Sequence, residues 1–118
     1  MGSASLCPGQ FDIVRIWQNF LASRVAALDC DGVDPATETQ FLTTMQGVSL
    51  RAAIALKERN PLLADNELTK RVELVVDGVR QNVKADIARN GCGSERVQQL
   101  LKLYRLHSRM NLELKALP

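Results

Sequence analysis

The sequence predicts an all-α protein, a single-domain antiparallel (up-down-up-down) four-helix bundle. Three observations predict it. Apolar residues recur at steps of three and four along four stretches of the 118-residue chain. Helix-start residues stand before these stretches, and Gly or Pro breakers follow the first three. The connections between them are only a few residues long, which makes sequential helices run antiparallel.

The first helix is expected over residues 11–29. After the loop signal Pro8-Gly9, residues Phe11, Val14, Trp17, Leu21, Val25 and Leu28 share one face. Asp12 falls in the first turn, at the positive end of the helix dipole, and Asp29-Cys30-Asp31-Gly32 supplies the stop. The second helix, 35–59, opens with Asp34 as N-cap and Pro35 at the first helical position, a specific start signal. Phe41, Met45, Val48, Ala52 and Leu56 follow at helical spacing until Asn60-Pro61 breaks the run.

The third helix, 66–90, starts at Asp65 or Asn66 and carries Leu68, Val72, Val75, Val79, Val83 and Ile87, with Asn90-Gly91 as its stop. Residues 71–76 followed by Asp77-Gly78 also fit a strand entering a two-residue hairpin turn. The helix is preferred because capping, stripe and the helix-forming run 84–88 agree with one another. The fourth helix, 94–116, starts at Gly93-Ser94-Glu95 and carries more apolar residues than one face can hold. It is therefore either the central helix, wrapped by the others, or partly exposed for a partner.

Composition narrows the function. The chain is 46% apolar and 24% charged, which excludes wholesale disorder and supports one buried core. Aromatics reach only 4%, so the single Trp17 and single Tyr104 cannot build a stacking platform for bases. A formal charge of +2 is too small to argue for nucleic acid or an anionic membrane. No apolar run reaches the ~18 residues of a membrane span. Residues 1–10 read as a tag-like, flexible N-terminus, and the opening Met1-Gly2-Ser3 leaves open whether a signal peptide precedes it in nature.

The cysteines give the sharpest inference. In an up-down-up-down bundle the ends of the first and third helices lie together, and Cys30 and Cys92 sit at those ends, with Cys7 left over. A bridge between them closes a loop of about 60 residues and is worth roughly 4 kcal/mol in the chain-entropy picture. It points to a periplasmic or secreted protein; the alternative is three reduced thiols in a cytoplasmic one. No close Cys or His spacing supports a metal site, and no cofactor is expected.

Catalytic motifs are absent from the sequence. His107 reads as a half-exposed surface residue, with Ser108 on a different helix face. Glu73 and Asp77 share a face but read as surface charge beside Lys70, Arg80 and Lys84. Arg24, Gln46, Gln81 and Asn82 are the positions from which polar groups could line an internal pocket.

The expected function is a non-enzymatic protein-interaction module whose partner, another protein or a second copy, is met through Lys102, Leu103, Arg105, Leu106, Arg109, Met110 and Leu114 on the fourth helix. One concrete version, by fold analogy alone, is a periplasmic accessory or secretion-associated protein of pilotin-like or chaperone-like type. The other is the cytosolic dimerising or effector-binding helical domain of a transcription regulator.

Overall fold

The computed structural model describes residues 12–109. Its elements are α1 (Ile13–Ala26), a π-helical turn (Ala27–Asp31), α2 (Pro35–Arg59), α3 (Asp65–Asn90) and α4 (Glu95–His107), a four-helix bundle with no strand among the described residues. The expected tail of the fourth helix, Met110, Leu114, Cys7 and the tag-like residues 1–10 lie outside the described residues.

The helix starts follow the sequence signals at two of four positions. The Asp34 carboxylate accepts from the Thr37 amide at 3.0 Å, and the Ser94 hydroxyl accepts from the Val97 amide at 3.3 Å. Asp12 stands one position earlier than expected: it is the N-cap of α1, accepting from the Val14 amide at 3.1 Å, and not a first-turn residue. At α3 the cap position is Ala64, which offers no side-chain acceptor, so Asp65 and Glu67 serve the first turn through their charge.

Residues 71–78 lie wholly within α3, so the hairpin alternative does not form. The first helical segment outlasts its expected end. It widens into the π-turn through Asp31 and stops only at Gly32, whose φ of +68° provides the left-handed break that the preceding Asp-Cys-Asp run cannot.

The central helix is α1, not α4. It packs against α2, α3 and α4, whereas α2 touches α4 moderately and α3 only lightly. Small residues explain this position: Ala22, Ser23, Ala26 and Ala27 are buried and let neighbouring helices approach on several sides. The buried face of α1 therefore runs through Val14, Trp17 and Phe20, while Leu28, expected on the buried stripe, is 46% exposed. By contrast α3 buries only Val83, with Val72, Val75, Val79 and Ile87 packed at the edge of the core.

At the bundle end where the π-turn meets the α3–α4 connection, Cys30 and Cys92 are joined by a disulfide across a separation of 62 residues, with Cα atoms 5.7 Å apart. A covalent link of that span removes much of the unfolded chain's freedom.

Within α3, a Cβ added at Gly78 meets nothing within 4 Å. Gly78→Ala is therefore expected to raise the unfolding free energy by roughly 0.5–1 kcal/mol. Gly91, with φ of +82°, behaves oppositely; Gly91→Ala is expected to lower it by about 1 kcal/mol. Urea denaturation measures both, and a loss of stability in Gly78→Ala contradicts the packing described.

Candidate functional site

Polar chemistry is concentrated where α1, α2 and α4 meet. Phe20 and Phe41, both fully buried, form the floor, their ring centroids 5.5 Å apart. Tyr104 stacks on Phe41 at 4.7 Å and His107 lies almost flat on Phe20 at 3.7 Å. The two α4 residues are three positions apart and so project from one face of that helix.

Each polar tip finds a partner across the bundle. The Tyr104 hydroxyl donates to Glu38 Oε1 at 2.6 Å, and the Arg24 guanidinium donates to Glu38 Oε2 from Nη2 at 2.7 Å and from Nε at 3.0 Å. Burial alone would push the Glu38 carboxyl up; the hydrogen bonds from Arg24 and Tyr104 together outweigh it and hold Glu38 below the usual carboxylate range. Burial, then the facing carboxylate, pushes the Tyr104 phenol strongly upward, so it stays a proton donor to Glu38.

Beneath this network the Ser23 hydroxyl donates its one proton to the Phe20 carbonyl at 2.9 Å. Its oxygen also lies 3.1 Å from His107 Nδ1, within hydrogen-bond distance. His107 is thus not the half-exposed surface residue expected; it is 5% exposed, because α4 lays its ring on Phe20. Ser108, expected on a different face, is buried too, its hydroxyl donating to the Arg105 carbonyl at 2.7 Å. The Ser23–His107 contact joins α1 to α4.

The fourth-helix contact residues are placed as follows. Lys102, Arg105, Leu106 and Arg109 share one face by their spacing, and all four are exposed, Leu106 by 52%. Leu103 is partly buried against the core. Arg105 reaches Asp31 at 3.5 Å and Arg109 Nε donates to the Arg105 carbonyl at 3.3 Å. Of the polar positions considered for an internal pocket, Arg24 turns inward to Glu38, while Gln46, Gln81 and Asn82 are exposed. Asp77 pairs with Arg80 at 2.7 Å on the surface of α3. Among the described residues no group of three or more His, Cys, Asp or Glu side chains could hold a metal ion.

The network that sequence reasoning missed is Arg24–Glu38–Tyr104. A tyrosine inside an otherwise apolar stripe signals that its hydroxyl needs a buried partner. Which of the chain's acids supplies it depends on the crossing of α2 over α4, and that crossing leaves no mark in the sequence. Comparison of the chain with known protein families, with curated proteins and with solved structures finds no significant match. The functional reading therefore rests on the chain's own geometry.

Burial lowers the His107 pKa from 6.5 to about 4. The fold thus favours the neutral ring, and the unfolded chain takes up the proton first as pH falls. The contribution is complete above the unfolded value and is lost between about pH 6.5 and 4, amounting to about 2 kcal/mol between pH 7 and 5. Urea titrations of wild type and His107→Gln across that interval check this. The wild-type stability is expected to decline by that difference relative to the variant, and parallel pH profiles contradict it.

Proposed function

We infer that the protein is a helical interaction module that works by holding another protein through the outer face of α4. The supporting observation is Leu106: a large apolar side chain left 52% exposed on a helix whose Val97, Leu100, Leu101 and Tyr104 are buried, among the exposed cations Lys102, Arg105 and Arg109. An apolar anchor ringed by charge is what a protein contact of modest size uses, since the anchor supplies desolvation and the charges supply orientation. The buried Ser23–His107 pair and the partly buried Arg24–Glu38–Tyr104 network hold the helices together, which leaves the exposed α4 side chains for recognition.

The Cys30–Cys92 bridge supports an oxidising compartment for this role. Among the described residues no helix is long and apolar enough to cross a membrane. A periplasmic or secreted accessory role, of the kind chaperone-like bundles fill, is the version favoured over a cytosolic regulator domain.

The test places a photo-crosslinking residue at Leu106 in the native cells and compares it with the same residue at Glu73, exposed on α3. One discrete adduct from position 106, abolished by Arg105→Glu with Arg109→Glu, is expected. No adduct at 106, or equal adducts at both positions, rejects the α4 face as the contact.

A further inference from the structure

On the outward side of α4, Lys102 stands four positions before Leu106 and Arg109 three positions after it, so the three side chains form one row about 10 Å long. Leu106, at the centre of the row, is 52% exposed. Neither flanking cation has a carboxylate of its own. Lys102 makes no ion pair or hydrogen bond among the described residues, and Arg109 donates only from Nε, to the Arg105 carbonyl. Arg105, beside the row, already faces Asp31 at 3.5 Å, and the nearby Asp34 is occupied in capping α2. After Arg109 the sequence adds one acid and one cation, Glu113 and Lys115, so the balance is unchanged. The cations of α3 differ: Arg80 and Lys84 are paired with Asp77 and Asp29, and Lys70 and Arg71 stand between Glu67 and Glu73.

We propose that this row binds an acidic amphipathic helix of another protein, with carboxylates on Lys102 and Arg109 and a large apolar side chain over Leu106. The proposal rests on the α4 face being the contact surface and adds what that surface recognises. Two unpaired cations fix the sign of the partner, and their separation fixes its spacing. On a helix lying along α4 the same distance is spanned by seven residues, so acids seven apart, with an apolar residue three or four positions from each, match the row. A helix suits the site better than an extended segment. The described residues contain no strand, so an extended segment finds no backbone edge for its amides, whereas a helix satisfies its own.

Other occupants match the row less well. A second copy docked α4 to α4 sets Lys102 and Arg109 against like charges, whichever way the two helices run. Nucleic-acid phosphates engage the cations but leave Leu106 with nothing apolar to bury against. A bilayer surface takes up a whole apolar helix face, and that face of α4, with Val97, Leu100, Leu101 and Tyr104, is buried in the bundle.

The test is fluorescence anisotropy with a labelled, hydrocarbon-stapled helical peptide that carries two glutamates seven residues apart and a leucine between them, titrated with the intact, disulfide-bonded chain. Saturable one-to-one binding is expected. Glutamine in place of both glutamates is expected to weaken it about tenfold or more, and alanine in place of the leucine about fivefold or more, two comparisons that need no variant to fold. Lys102→Glu/Arg109→Glu, at exposed positions, is expected to lose the glutamate peptide by a similar factor and to gain one with lysines in its place. The proposal is overturned by the absence of saturable binding, by equal affinity for the glutamine peptide, or by undiminished binding in the charge-reversed chain. It is also overturned if duplex DNA or phosphatidylglycerol vesicles bind more tightly than the peptide and Leu106→Ala leaves that binding unchanged. The in-cell crosslink at position 106 separates this proposal from the broader reading. An adduct whose partner segment lacks acidic residues overturns the acidic helix and keeps the α4 contact, whereas no adduct overturns the contact itself.

Discussion

Phe20 sits at 0% exposure in the middle of α1, with Phe41 of α2 against one side of it and the His107 ring of α4 lying on it. Three helices thus share one aromatic contact, and burying rings of this size dominates the energy of a small core. Position follows from it. Once α4 is fixed on Phe20 through His107, Tyr104 lies over Phe41 and its hydroxyl comes within 2.6 Å of Glu38. The polar contacts then satisfy groups that the aromatic packing has already taken out of water.

The disulfide acts at a distance from this centre and on a different state of the chain. It joins the π-turn after α1 to the connection before α4, the two segments whose glycines interrupt regular helix. Packing at Phe20 stabilises the folded bundle; the cross-link chiefly limits the unfolded one. A helix such as α3, with a single buried residue among 26, needs both: its contacts with α1 are shallow, and its C-terminal end is tied down by the bridge.

Much of the fold was legible because local rules and the tertiary structure agree. Asp34-Pro35 and Ser94-Glu95 mark helix starts whatever packs around them, and Asn60-Pro61 and Asn90-Gly91 mark stops. The pairing of Cys30 with Cys92 followed from which helix ends stand together. What was not legible depended on neighbours. A stripe drawn at steps of three and four through α1 passes over Phe20, because a helix packed on several sides has no single apolar face. His107, flanked in sequence by Leu106 and Ser108, shows no sign there of the ring that will lie against it. The exposed α4 face was legible in part: its cations lie outward as their spacing implied, but Leu103 packs against the core and Leu106 is left exposed.

Function, on this view, is divided from stability by depth. The Ser23–His107 pair and the Tyr104 ring lie inside, whereas the cations of α4 and Leu106 lie outside. That division requires α1 to be the last element to open. Native-state hydrogen exchange measures this directly. The amides from Phe20 to Ala27 are expected to exchange only through global unfolding, with α3 amides before Val83 exchanging through smaller openings. If the α1 amides exchange as fast as those of α3, or faster, α1 is not the centre on which the bundle is built.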